Sequence, residues 1–326
     1  MAVKITTEYI DMLNQAVEHE FRVSIQYFLQ HAKMEKLKKR ANPENILLDK
    51  TTYDAVGKVF YDISVSEMKH AADIMERIYY LGGQATTKSS TPVIGNSISE
   101  FAKLGIETEK EALTLYRKII PAAREAGDWQ ARKLFERIYS EEEEHLFKFQ
   151  EYANFQDEKN ESNEATKPEW QKIFTDDYFA LLNKAVAAEI TGIIQYTNQH
   201  EKAALLGNRL KNTPLEAIQN TNIAGVTGNI LKDIFLVEMN HLEMISERIY
   251  LLGGEVTANP NPLPVVGDTV FDMLKLDHSL ESMTISLYRE IIAEALKRGD
   301  TTTRLIFEEI AKQEEEHFWT FDDFVK

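Results

Sequence analysis

The sequence predicts an all-α chain built as two tandem four-helix units, and three observations carry that prediction. Apolar side chains recur at helical spacing, with no sustained two-residue alternation and with loops too long for hairpins. A Glu-x-x-His pattern occurs four times, at Glu67–His70, Glu142–His145, Glu238–His241 and Glu314–His317. The second half also repeats the first: EMNHLEMISERIYLLGG matches EMKHAADIMERIYYLGG in 11 of 17 positions.

Thr6 and Thr7 are suited to cap a first helix that starts near Glu8 and runs to about Arg40. Leu13, Val17, Glu20, Ser24 and Tyr27 share one face of it. The stretch ANPENILLDK, with Asn42 and Pro43, interrupts the pattern, and a second helix is expected from about Thr52 to a stop at Gly82 and Gly83. After the loop QATTKSSTPVIGNS, a third helix from Ser97 aligns Glu109 with Ala112, Leu113, Tyr116 and Ile120, and ends near Gly127. Asp128 caps a fourth, where Phe135, Ile138, Glu142, His145 and Phe149 share a face. The connections between helices one and two and between two and three both leave room for a crossover.

Residues 154–170 are polar and charged and read as an exposed linker between domains at 1–153 and 171–326. Beyond them the pattern restarts, DYFALLNKAVAAEITGIIQY matching EYIDMLNQAVEHEFRVSIQY. Offsets are nearly constant: Glu20 to Glu189 is 169, Glu67 to Glu238 is 171, and Glu109 to Glu281 and Glu142 to Glu314 are both 172.

The 53 acidic and 37 basic side chains leave a net charge of −16, which argues against nucleic acid as a partner and suits attraction of cations. There is no Cys, which excludes disulfides, zinc–thiolate sites, iron–sulfur clusters and a rubredoxin-type iron site. The start, MAVKITTEYIDML, lacks a signal-like apolar run, and no stretch approaches the length of a membrane span, so a cytoplasmic protein with no membrane partner is expected.

A helix advances 100° per residue, so Glu67 and His70 lie one turn apart on the face that continues through Ile74, Ile78 and Leu81. An ionised carboxylate directed into a core is costly unless something compensates it. Each unit supplies one Glu on its first helix, Glu-x-x-His on its second, one Glu on its third and Glu-x-x-His on its fourth, the pattern of dimetal carboxylate bundles. Four carboxylates balance two divalent cations, and hard oxygen donors with one imidazole per metal suit iron or manganese. Two of the carboxylates can bridge, which leaves positions open to dioxygen or peroxide. Tyr27 and Tyr196, seven residues after Glu20 and Glu189, are read as supports of the ligands, as one-electron donors, or as core tyrosines with satisfied hydroxyls. Glu141, Glu143, Glu144, Glu315 and Glu316 are expected to face away from the His-bearing stripe as surface charges.

At these residues the chain resembles the ferritin-like superfamily, and most closely bacterioferritin. The carriers are LNQAVEHEFRVSIQYFL, EMKHAADIMERI, the Glu109-to-Tyr116 stretch and EEEEH, with counterparts in the second half. The resemblance implies that Glu67 and Glu142 bridge two irons, with Glu20 and His70 completing one and Glu109 and His145 the other. In the second half it implies bridging by Glu238 and Glu314, with Glu189 and His241 on one metal and Glu281 and His317 on the other. It also marks Met68 and Met239 as candidate haem axial ligands, and it admits a homo-oligomer.

Three departures set the chain apart from a hollow iron-storage cage. Neither half shows the family's short fifth helix. Glu20 to Glu67 spans 47 residues and Glu189 to Glu238 spans 49, longer than the family's connection. Ser66 and Val237 stand where an acidic residue is expected. The expected activity is that of a ferroxidase-type di-iron oxidoreductase, oxidising Fe(II) with O2 or H2O2 in iron handling and oxidative-stress protection. Rival readings are a rubrerythrin-like peroxidase or oxidase with an external electron donor, and a non-catalytic metal or haem carrier.

Overall fold

The computed structural model describes residues 3, 5–40, 46–153, 173–210 and 223–325. These residues form eight helices: α1 (Thr7–Arg40), α2 (Ile46–Tyr80), α3 (Ile98–Glu125), α4 (Trp129–Tyr152), α5 (Asp176–Leu210), α6 (Ile223–Leu252), α7 (Val270–Arg298) and α8 (Thr301–Val325). No strand occurs among them. The chain divides into two compact units, Met1–Asn160 with α1–α4 and Glu161–Lys326 with α5–α8. The expected linker, residues 154–170, lies wholly outside the described residues. Among the described residues no helix is long and apolar enough to cross a membrane.

Within the first unit α1 packs against α2 and α3 against α4, with α1–α3 and α2–α4 contacts closing the bundle. Cross-helix bonds give the directions. Ser24 Oγ donates to the Ser64 carbonyl while His31 Nδ1 meets the Gly57 carbonyl, so α1 and α2 are antiparallel. Only residues 41–45 separate them, so the crossover considered for this connection does not occur. Helix α2 also begins at Ile46 rather than near Thr52, because nothing from Ile46 to Thr52 is a helix breaker. The break at Asn42 and Pro43 falls outside the described residues.

The crossover belongs to the α2–α3 connection. Asn14 binds the Gln84 carbonyl and the Thr86 N–H near the start of α1, Gln30 Nε2 reaches the Ile94 carbonyl, and Lys33 reaches Asn96. The loop therefore travels along α1, and α3 runs parallel to α2. In the second unit Asn183, Thr191, Gln195, Gln199 and Lys202 hold the α6–α7 loop in the same sequence.

The helix ends follow local chemistry. Ser97 Oγ accepts from Glu100 N, and Asp128 caps α4 by accepting from Ala131 N. Gly127 at φ 72° and Gly299 at φ 75° make the left-handed turns into α4 and α8, where a side chain would be strained. Asp128 also accepts from Tyr9 Oη at 3.0 Å and Arg77 Nη2 at 2.5 Å, and Asp300 takes the same part with Tyr178 and Arg248. The other end of the first bundle is a cluster of the buried aromatic side chains Tyr27, Phe60, Phe101 and Phe149. By their order along α1, α2 and α4, the Glu and His residues fall between these two ends.

Candidate metal centres

The middle of the first bundle brings together all six residues expected there. Ligand-capable atoms of Glu20, Glu67, His70 and Glu142 lie within 4.8 Å of one another, and so do those of Glu67, Glu109, Glu142 and His145. Glu67 and Glu142 belong to both groups. None of the six residues is more than 5% exposed. His70 Nδ1 faces Glu67 at 2.8 Å, Glu142 at 3.2 Å and Glu20 at 3.8 Å. His145 Nδ1 faces Glu67 at 2.8 Å and Glu142 at 3.1 Å.

The second unit repeats the arrangement with Glu189, Glu238, His241 and Glu314 in one group and Glu238, Glu281, Glu314 and His317 in the other. His241 Nδ1 faces Glu314 at 3.0 Å and Glu238 at 3.3 Å, and His317 Nδ1 faces Glu238 at 3.1 Å.

The donor set fits a pair of divalent cations. Both oxygens of Glu20 and Oε2 of Glu189 are buried without a hydrogen bond, and Oε1 of Glu67, Glu142, Glu238 and Glu314 make none of good geometry, each having only a histidine Nδ1 nearby, at 2.8, 3.2, 3.1 and 3.0 Å. Buried carboxylate oxygens left this way are expensive, and their convergence from four helices is what a cation would relieve. Oxygen-rich donors with two imidazoles match iron or manganese.

Without metal, protons occupy the cations' place. Burial and the neighbouring Glu142 push the Glu20 carboxyl well above its ordinary range, and burial with Glu142 and Glu67 does the same to Glu109. Burial opposes charge on Glu67 too, but His145 and His70 hold it below the carboxylate range. Burial disfavours the His145 cation, yet Glu67 and Glu142 raise it to about 9, and His317 is likewise raised to about 9 beside Glu238 and Glu314. His70 and His241 are likewise raised well above the ordinary imidazole value, against burial, by the carboxylates around them.

Tyr27 is fully buried, and its hydroxyl donates to Glu109 Oε1 and meets Thr108 Oγ1 at 2.6 Å. Tyr196 donates to Glu281 Oε1 at 2.5 Å. Each thus fixes a carboxylate from the third helix of its unit. The sequence reading missed the reciprocal pair: Tyr288 donates to Glu189, and Tyr116, its counterpart, is buried with its hydroxyl unpartnered. The signal was present, since Tyr116 and Tyr288 follow Glu109 and Glu281 by seven residues, as Tyr27 follows Glu20.

Glu141 corrects the expectation that it faces away from the histidines. Its Oε2 accepts from His70 Nε2 at 2.6 Å, because the Nε2 edge of the ring points outward between α2 and α4, where residue 141 stands. Glu143, Glu144, Glu315 and Glu316 are exposed, as expected. His19 was not singled out; it is 8% exposed, its Nδ1 lies 3.0 Å from Arg22, and burial followed by that guanidinium lowers it to about 4. Met68 and Met239 are buried, at 4% and 8% exposure.

A family model described as the ferritin-like domain matches residues 10–156 and 225–326. The chain belongs to the ferritin-like family. It is 30% identical to a bacterioferritin of Desulfovibrio desulfuricans over 143 residues, which are 44% of this chain and 71% of that protein. It is 29% identical to a bacterioferritin of Streptomyces coelicolor over 43% of this chain and 75% of the relative. Among solved structures, one of Desulfovibrio desulfuricans bacterioferritin, described as showing its diiron site in different catalytic states, aligns with a TM-score of 0.39 at 27% identity, covering 48% of this chain and 82% of that one.

Proposed function

We propose that each unit binds two Fe(II) ions as substrate and that the chain oxidises them with O2 or H2O2. The observation that carries this reading is the convergence, in each unit, of four buried glutamates and two histidines whose ligand-capable atoms lie within 4.8 Å of one another in two groups that share two glutamates. Membership of the ferritin-like family and the relatedness to bacterioferritins support it. Each bound iron supplies one electron, so a pair reduces one O2 to H2O2 or one H2O2 to two waters, with two protons taken up.

In this reading Glu67 and Glu142 bridge the first pair, and Glu238 and Glu314 the second. Glu20, His70, Glu109 and His145 complete the first site, and Glu189, His241, Glu281 and His317 the second. Tyr27 and Tyr196 hold the Glu109 and Glu281 carboxylates toward the metals. The same reading takes Tyr27 and Tyr196 as one-electron donors, which the hydrogen bonds from their buried hydroxyls to those carboxylates support. Protons held on the histidines and on Glu20, Glu109, Glu189 and Glu281 leave as cations enter. The aromatic cluster around Phe60 and Phe149 keeps water from one end of the first site.

Anaerobic loading with Fe(II), then mixing with O2 or H2O2 while recording near-ultraviolet absorbance, tests the proposal. A rapid rise with two irons consumed per H2O2 supports it, and binding without oxidation leaves a carrier or a manganese protein. Sustained peroxide turnover with an added reductant marks the peroxidase reading, whose donor must be external since the sequence has no Cys. Haem ligation by Met68 and Met239 is a separate part of the proposal, tested by whether a Soret band of the purified protein disappears in Met68→Leu.

A further inference from the structure

The two centres share their six donors but differ behind one histidine. In the first unit His70 turns Nδ1 toward Glu67, Glu142 and Glu20, so Nε2–H is the outward edge, and it donates to Glu141 Oε2 at 2.6 Å. Arg137 holds Glu141 Oε1 at 3.0 Å and is itself paired with Asp73. In the second unit the residue at the position of Glu141 is Gln313, and His241 Nε2 lies 3.2 Å from its Oε1. Glu309, which stands where Arg137 does, accepts from Gln313 Nε2 at 3.2 Å, and this bond fixes which end of the amide faces the imidazole. Met244 replaces Asp73.

A histidine that ligates a cation through one nitrogen is a stronger donor when its other N–H is given to a carboxylate, because the acceptor's charge stabilises positive charge drawn onto the ring. A neutral carboxamide supplies less of this. The shorter bond to Glu141 agrees with a charge-assisted contact. Formal charge does not cancel the difference, since Asp73–Arg137–Glu141 and Glu309–Gln313 each sum to one negative charge and differ in where it stands. In the first unit it rests on the atom touching the imidazole; in the second it is one residue further out, toward solvent.

We propose that the first unit is the tighter divalent-metal centre and fills before the second, with Glu141 and Gln313 setting the order. This rests on the reading of the six-residue clusters as dimetal sites. Both residues act through a histidine and are positioning residues. A chain with unequal centres takes up metal in two stages, one unit loaded while its neighbour is still empty.

Anaerobic calorimetric titration of the full chain with Co(II) tests this. The expected isotherm has two classes of two ions each. Glu141→Gln, which gives the first unit the side chain the second already carries, should weaken only the tight class, on the order of ten-fold. Gln313→Glu should strengthen only the weak class by a similar factor. Four equivalent ions in the unaltered chain, or a Glu141→Gln isotherm that superimposes on it, would overturn the inference while leaving the dimetal reading in place. No Co(II) uptake at all would remove that reading, and the inference with it.

Discussion

Glu67 Oε1 stands 2.8 Å from His145 Nδ1, so a carboxylate of α2 meets the imidazole of α4, while the same Glu67 reaches His70 on its own helix through Oε2. Glu238 and His317 repeat the contact at 3.1 Å in the second unit. One glutamate thus serves both halves of its centre, and Glu142 or Glu314 does so from the opposite side. Glu20 and Glu109 each belong to one half only.

Shared and unshared carboxylates should therefore fail differently. Glu67→Gln is expected to lower retained metal from about four ions per chain to about two, since both ions of its unit depend on it, whereas Glu20→Gln should cost about one. Metal content after anaerobic loading and desalting reads the difference. Equal losses in the two variants would show that Glu67 does not bridge.

The protonation pattern predicts opposite pH trends for the metal-free and loaded protein. His145 and His317 move from an ordinary 6.5 to about 9, so their contribution to stability is fully present below pH 6.5 and is lost as pH rises through about 9. Glu20, Glu109, Glu189 and Glu281, also raised, lose stability in the same direction above the ordinary carboxylate value. Calorimetric Tm of chelator-treated protein should fall between pH 6.5 and 9. Metal affinity should rise over that interval, because each ion displaces protons. A metal-free Tm that climbs over that interval would refute the assignment.

The Asp128 cap joins three elements at once, through Ala131 N, Tyr9 Oη and the Arg77 guanidinium. Asp128→Ala strips a helix cap and leaves the mostly buried Arg77 without its carboxylate, so a loss of about 3–5 kcal/mol is expected. Urea unfolding should show the transition of the first unit moving while that of the second stays. A shift below about 0.5 kcal/mol, the range of ordinary surface substitutions, would mean that the network does not hold α1, α2 and α4 together.

Most of the fold was legible because the duplication states every signal twice. The helix ends at Asp128 and Gly127 and the inner faces carrying Glu20 and Glu109 follow from spacing and caps, whereas which of two connections crosses over shows only in the bonds from Asn14, Gln30 and Lys33 to the loop after Gly83. What was not legible depended on contacts between helices. Glu141 looked like one more charge in a run of four glutamates, since helical phase gives its angle from His145 on α4 but not its distance from His70 on α2. The start of α2 was misjudged because Pro43 suggested a longer interruption than the chain makes. Tyr116 reads only as one more residue of the apolar face beside Glu109, and the part of its counterpart Tyr288 emerges only where its hydroxyl meets Glu189 across the bundle.

Gly105 marks a place where the two units have diverged. A Cβ there would meet the Phe149 ring at 2.7 Å, so Gly105→Ala should destabilise the first unit by about 1–3 kcal/mol. Its counterpart, Asp277, is fully buried and accepts from Gln195 Nε2 at 2.8 Å, and burial keeps its carboxyl well above the ordinary range. Asp277→Asn, which keeps the shape of the protonated acid, should shift unfolding by under about 1 kcal/mol. A large loss in Asp277→Asn and none in Gly105→Ala would invert this account of the two packings.

The central claim is that each unit holds a metal pair between two shared glutamates. Anomalous diffraction at the iron edge, from crystals of the full chain loaded anaerobically with Fe(II), tests it most directly. The account predicts four peaks in two pairs, one between Glu67 and Glu142 and one between Glu238 and Glu314. A single peak per unit, or peaks confined to surface carboxylates with the Glu67–Glu142 position empty, would contradict it.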